Sequence, residues 1–299
     1  MTFTSKILNS LFHTMLRLTG IKLRFKNLNT VLMYIKHEQK APQLDIESIQ
    51  TNKLRSSLSK KMFNEMTVYH INEQSHHDTL IFYLHGGAFI NQALPQHFSL
   101  VDTIAQHTNS TIIFPLYPRL PHSNEVHCLS QLESYLEKII KDNLNHKIIL
   151  MGDSAGGWLA LSLAKLLRDK HKKPVEHLFL FSPWCDLSMK HVDVKLEKKD
   201  PILSHEGLKQ IGIMWMNESS SHGFRMGDSL EDIGNIHVYV GSHEIFLPQA
   251  LTLKEKAHSQ GVSFNLKVGN MMIHDFILFP FKESKDVLNE IVEIINKEV

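Results

Sequence analysis

Three side chains, far apart in the chain, have the types and settings needed for nucleophilic acyl transfer. Ser154 stands in Gly152-Asp153-Ser154-Ala155-Gly156-Gly157, behind the apolar run Lys147 to Met151 and ahead of a helical stretch from Trp158 to Leu167. A strand, a glycine turn and a helix in that order would expose a serine at the strand end. A hydroxyl is a weak nucleophile until a base takes its proton. Only His258 and His274 lie downstream of Glu244. His258 falls inside a helix pattern, whereas His274 sits on a loop, in Met271-Met272-Ile273-His274-Asp275-Phe276, so His274 is the favoured base. Glu244 closes Val238-Tyr239-Val240-Gly241-Ser242-His243-Glu244, just past a strand end, and would orient the imidazole. Asp228 and Asp232 precede that strand, and Asp275, next to His274, is expected to point elsewhere. The competing readings are an ordinary strand-helix turn at Ser154 and a plain loop carboxylate at Glu244.

The developing oxyanion needs donors. The Ala155 N–H, at a helix start, points where that charge would form. Tyr83-Leu84-His85-Gly86-Gly87-Ala88-Phe89 supplies adjacent glycines directly after a strand, where free N–H groups could join it.

The elements that must position these residues alternate. Apolar runs at 79–84, 111–116, 147–151, 177–181, 236–240 and 264–268 are separated by helical patterns near 95–107, 123–142, 158–170, 248–258 and 281–297. Met66 to Ile71 reads as an earlier strand, and residues 76–78 as a turn. This rhythm predicts a mostly parallel sheet with helices on both faces, its ligands beyond the carboxyl ends of the strands. Two regions break it. Residues 5–18 and 28–38 carry helical apolar stripes, with a polar connection over 39–60. Residues 185–228 hold a charged loop (190–200) and a helix (202–216).

Composition excludes little else. The 299 residues are ample for a large core, and 32 Lys and Arg against 31 Asp and Glu give no global argument for nucleic acid. Cys128 and Cys185 read as two buried thiols in a reducing compartment, so a cytoplasmic location is expected. The twenty histidines include no H-E-x-x-H, and no metal site is assigned. No run reaches transmembrane length, and the N-terminal stripe lacks a signal-peptide cleavage site. A helix-forming stripe there could cap a domain or lie on a membrane. The cap is favoured, because Lys and Arg are not gathered on its polar face.

The motifs together resemble the hormone-sensitive-lipase-like branch of the α/β-hydrolases, near its bacterial acetyl esterases and carboxylesterases. His85-Gly86-Gly87 resembles that family's H-G-G-G, and Gly152 to Gly157 its G-D-S-A-G-G. Trp184-Cys185-Asp186-Leu187-Ser188, Asp200-Pro201 and the loops of Glu244 and His274 also fit, over about residues 60–299. The resemblance implies an oxyanion hole from the N–H groups of Gly86, Gly87 and Ala155, and a cap built from the N-terminal region and the segment after Trp184. Ala88 departs from the third glycine, Glu244 from a common aspartate, and Tyr117-Pro118-Arg119-Leu120-Pro121-His122 from Y-R-L-A-P-E.

The expectation is one α/β-hydrolase domain over 1–299, with a cap from about 1–60 and 185–228 and a core from about 61–184 and 229–299. It would be a serine carboxylesterase for short- to medium-chain acyl esters, with Ser154, His274 and Glu244 as its triad and no metal or organic cofactor. Phe89, Met214, Trp215 and Met271 are candidates for the acyl pocket wall, with apolar core as the competing role. The expected partner is a small acyl ester, with no nucleic acid and no favoured membrane contact; oligomeric state is open. Competing functions are an amidase or deacetylase on the same triad, a lipase lying on a membrane surface, and a non-catalytic binding protein.

Overall fold

The computed structural model describes residues 3–41, 54–73, 78–143, 146–172, 174–190, 192–216 and 222–297. The turn expected at 76–78 lies largely outside them, as does most of the polar connection at 39–60. The described residues form an eight-stranded sheet: β1 (Leu58–Phe63), β2 (Met66–Ile71), β3 (Thr79–Leu84), β4 (Thr111–Leu116), β5 (Lys147–Asp153), β6 (His177–Phe181), β7 (Asn235–Gly241) and β8 (Phe264–Gly269), in the order β1-β2-β4-β3-β5-β6-β7-β8. β2 runs antiparallel to β1 and β4; the other pairs are parallel.

A central parallel strand is covered on both faces, so its apolar run is unbroken and its side chains divide between two cores. Along β3, Leu80, Phe82 and Leu84 enter one core, while Ile81 and Tyr83 enter the other. The first core lies under α4 (Glu125–Asp142), α5 (Ala155–His171) and α8 (Leu247–Ser259). The second lies under α3 (Pro95–Thr108) and α9 (Lys282–Lys297).

Two corrections concern elements. β1 occupies the end of the stretch read as a connection, because its Lys60 and Lys61 mask the pattern; lysines suit a sheet edge, where they discourage further pairing. The charged loop at 190–200 contains the short helix α6 (Val194–Lys199), whose first turn is capped by the Asp193 carboxylate accepting from the Lys195 N–H at 2.7 Å.

α2 (Leu28–Glu38) and a 3-10 turn (Ile21–Phe25) pack against α7 (His205–Trp215), and α1 (Phe3–Leu18) packs on the turn. Lys22 donates to the carbonyls of Glu197 and Asp200, and Arg17 to that of Lys198 at 3.0 Å. The Gly207 backbone presses so closely on Phe25 that a Cβ would overlap the Phe25 carbonyl. The two segments outside the alternation thus form one layer. Asn9 and Phe12 of α1 reach the chain on either side of His274: Asn9 donates to the Met271 carbonyl at 2.6 Å, and Phe12 packs on Phe279.

Candidate active site

β5 ends at Asp153 and α5 begins at Ala155, so one residue, Ser154, turns the chain. It does so at φ 53°, ψ −118°, a conformation most residues avoid. The turn closes because two glycines permit it. A Cβ on Gly152 would strike the Gly156 carbonyl, and one on Gly156 the Leu84 carbonyl. Backbone bonds hold the strained residue: its N–H donates to Phe181 at 2.8 Å, and its carbonyl accepts from Trp184 at 3.0 Å.

The structure brings His274 to Ser154, with Nε2 2.9 Å from Oγ. Glu244 stands on the other side of the ring. Its Oε1 is 3.9 Å from Nδ1, beyond hydrogen-bond length, and neither atom has a hydrogen-bond partner among the described residues. The other oxygen, Oε2, is fixed: it accepts from Ser182 Oγ at 2.8 Å and from the Gly241 N–H at 3.1 Å. Ser182 Oγ also accepts the Asp275 N–H at 3.0 Å, so one hydroxyl ties the Glu244 and His274 loops together. Buried Asp200 accepts from the Ile245 N–H at 3.0 Å and braces Glu244 from the next residue. Burial pushes both carboxyls, Glu244 and Asp200, above their ordinary range.

Asp275 corrects the sequence reading. It does not point away; its Oδ2 is 3.1 Å from His274 Nε2, the nitrogen that faces Ser154. A neutral Nε2 accepts the serine proton, whereas a protonated one can donate to Asp275 instead. Burial alone would lower the His274 pKa, but Asp275 and Glu244 outweigh it and hold the imidazole well above its ordinary value.

The oxyanion donors differ from those expected. The Gly86 N–H donates to Asp153 Oδ2 at 2.9 Å, so it faces a carboxylate and is withdrawn from the hole. Among the described residues the N–H groups of Gly87, Ala88 and Ala155 have no acceptor. Gly87 (φ 118°) and Ala88 (φ 54°) turn the loop sharply, and Ala155 is the first residue of α5, where an N–H has no partner within the helix. The Gly86 N–H is thus engaged, while those of Gly87, Ala88 and Ala155 are left without an acceptor among the described residues.

Asp153 anchors this loop. It also accepts from Tyr83 Oη at 2.7 Å and lies 3.1 Å from His97 Nε2. His97 Nδ1 accepts the Leu94 N–H at 2.8 Å, so the ring proton belongs on Nε2, facing Asp153. Burial disfavours the Asp153 charge, but these donors prevail and its pKa lies below the ordinary range. From the other side Tyr117 Oη donates to the His85 carbonyl at 2.6 Å and Arg119 to that of Ile90 at 2.7 Å. Buried His85 stacks on Tyr117 with 4.4 Å between centroids, and burial lowers its pKa to about 3, so it is a neutral spacer and no base.

The pocket candidates are closed. Phe89 and Trp215 stack at 4.2 Å, fully buried, with Trp158 and Trp184 also against Phe89. This corrects their assignment: they are packed core rather than an open wall, because the aromatic faces satisfy one another. Met214 packs on the same core, and Met271 is held at the foot of the His274 loop, its N–H donating to Ser242 Oγ at 2.7 Å. Ser154 and His274 are each only 4% exposed. A cavity of about 640 Å³ borders His85, Tyr117 and Arg119, and one of about 420 Å³ borders Cys185 and Met216; neither is lined by Ser154 or His274.

Sequence reasoning missed His97, Ser182 and Asp275 as supports of the site. Asp275 and Ser182 adjoin motifs already singled out. His97 gave no signal, because only folding brings α3 under the elbow. Among the described residues one trio suits a metal, Glu133, Glu137 and His171, on α4 and α5 away from these loops. Lys170 pairs with Glu133 at 2.8 Å and His171 with Glu137 at 3.1 Å.

Residues 81–278 match the family profile described as alpha/beta hydrolase fold. An esterase of Acinetobacter venetianus is 30% identical over 232 residues, covering 75% of this chain and 76% of its own. Esterase LipU of Mycobacterium tuberculosis is 26% identical, covering 66% and 69%. Among solved structures, a Staphylococcus aureus chain superposes with TM-score 0.82 at 23% identity, covering 93% and 96%. The hormone-sensitive-lipase homologue EstE7, from a metagenome library, gives 0.77 at 19% identity, covering 97% and 98%. At those identities the structural matches speak for the fold.

Proposed function

This chain belongs to the α/β-hydrolase family, and from that premise we propose that it is a serine carboxylesterase acting on short- to medium-chain acyl esters. The observation that carries the reading is the 2.9 Å approach of His274 Nε2 to Ser154 Oγ beside three unengaged N–H groups. Ser154 Oγ attacks the ester carbonyl while His274 Nε2 takes its proton. The carbonyl oxygen becomes an oxyanion facing the N–H groups of Gly87, Ala88 and Ala155. Glu244 and Asp275 stabilise the imidazolium that forms. As the tetrahedral adduct collapses, the bond to the alcohol oxygen breaks and His274 returns the proton to it. Water then attacks the acyl-serine by the same roles reversed, releasing the acid and restoring Ser154.

The short acyl limit is supported by the near-complete burial of Ser154 and His274. We read the layer formed by the N-terminal region and residues 185–228 as a cap, which would exclude water and restrict acyl length. A cytoplasmic location is supported by two buried free thiols, Cys128 and Cys185. The test is a p-nitrophenyl ester series from acetyl to palmitoyl, run beside Ser154→Ala. A maximum at the short or middle chains, lost in the variant, is expected; a preference for palmitoyl would contradict the assigned class.

A further inference from the structure

We propose that the outer face of the N-terminal layer docks on an anionic lipid surface. α1 has two apolar faces. The inner one, with Phe12, packs on Phe279 and Phe281. The outer one is Leu11, Met15 and Leu18, on one side of the helix at i, i+4 and i+7, and all are exposed, Leu18 by 83%. The pattern repeats beyond α1. Leu23 is exposed in the 3-10 turn, and Leu28, Leu32 and Met33 on α2, Met33 by 72%. Seven of the thirteen large hydrophobics exposed among the described residues thus fall between 11 and 33. Scattered exposed leucines are ordinary, but this concentration marks an interaction surface.

Charge selects the occupant. Residues 1–40 contain seven Lys and Arg and one acid, Glu38; the other 259 residues hold 25 basic and 30 acidic side chains. A chain of net charge +1 is therefore +6 at one end and −5 over the rest. On α1 alone the basic residues do not gather on the polar face. In the structure exposed Arg17, Arg24, Lys26 and Lys36 accompany the apolar positions of the turn and α2 as well. Apolar side chains interleaved with cations suit lipid acyl chains under anionic headgroups. A second copy fits worse, since a symmetric pair would set exposed Arg17, Arg24, Lys26 and Lys36 of one copy against those of the other. No described helix is long and apolar enough to cross a membrane, so the segment lies on the surface.

Docking would reach the site directly. Asn9 of α1 holds the Met271 carbonyl, and His13 packs 5.8 Å from His243, beside Glu244. The layer that would touch lipid is the layer that touches the loops of His274 and Glu244.

The test is flotation of the full chain with vesicles of phosphatidylcholine alone or mixed with phosphatidylglycerol, a readout that needs no turnover and so stands or falls apart from the esterase assignment. Leu11→Asn/Leu18→Asn and Arg24→Gln/Lys26→Gln change exposed side chains outside the catalytic machinery, and circular dichroism checks their folding. Flotation is expected with anionic vesicles only. It should weaken in 1 M salt, where the screening length shrinks to about 3 Å, and fall at least ~10-fold in the leucine pair through lost apolar contact. The charge pair should also weaken it. No flotation, or flotation equal in the leucine pair, would overturn the proposal. So would a vesicle-free dimer in sedimentation that the leucine pair dissociates.

Discussion

His274 can act as a base only when its Nε2 is unprotonated, and the carboxylates around it oppose that state. Asp275 contacts Nε2, Glu244 faces Nδ1, and Asp200 and Asp153 lie farther out in the same buried network. Burial opposes the charged ring, but Asp275 and Glu244 favour imidazolium and raise the His274 pKa. The acid limb of kcat/KM should therefore lie above the ordinary histidine value of about 6.5. Asp275→Asn removes one of these charges, so the limb should move to lower pH; an unmoved or rising limb would show that Asp275 does not bear on the base. Glu244→Ala should lower kcat by ~10³- to 10⁴-fold, the scale for losing the orienting acid of a triad. A loss below ~10-fold would shift that role to Asp275. The sequence showed Ser154, His274 and Glu244 because each follows a strand end in a recognisable motif. It hid Asp275 because a neighbour in sequence normally points elsewhere. Here Asp275 adopts φ 52°, and that left-handed turn swings its carboxylate back to the ring.

At the scale of elements, the oxyanion loop is held by Asp153 beneath and the Tyr117–Arg119 segment beside it. Asp153→Asn replaces a buried charge that serves Gly86, Tyr83 and His97 with an amide that cannot accept from all three. Calorimetry should record a loss of ~3 kcal/mol, the scale for breaking a buried charge pair. kcat should fall with KM little changed, because the loop would misplace its donors. A variant with parent kcat would detach Asp153 from the hole. Gly86→Ala should be as damaging, since its Cβ would overlap the Asp153 carboxylate. The order of strands and helices from β3 onward was legible because buried parallel strands are uniformly apolar. β1 was not, because an edge strand with two lysines has no such pattern. The capture of the Gly86 N–H by Asp153 was also invisible, because a glycine pair shows that N–H groups are accessible but not where they point.

Over the whole molecule, the N-terminal layer and residues 194–215 pack together against the loops of the candidate site. Removing residues 1–20 takes away Asn9 and Phe12, so it should raise KM and shift chain-length preference more than it changes kcat for acetyl esters. A soluble truncation with the parent's chain-length profile would separate α1 from substrate binding. The apolar stripes foretold the helices, but which stripe face is covered and which is open depends on partners distant in sequence. If this assembled fold activates one hydroxyl, that of Ser154, a fluorophosphonate should mark it alone. Intact-mass measurement after that reaction, on the parent and on Ser154→Ala of equal thermal stability, should find a single adduct, mapped to Ser154, in the parent and none in the variant; undiminished labelling of Ser154→Ala would contradict the assignment of Ser154 as the nucleophile.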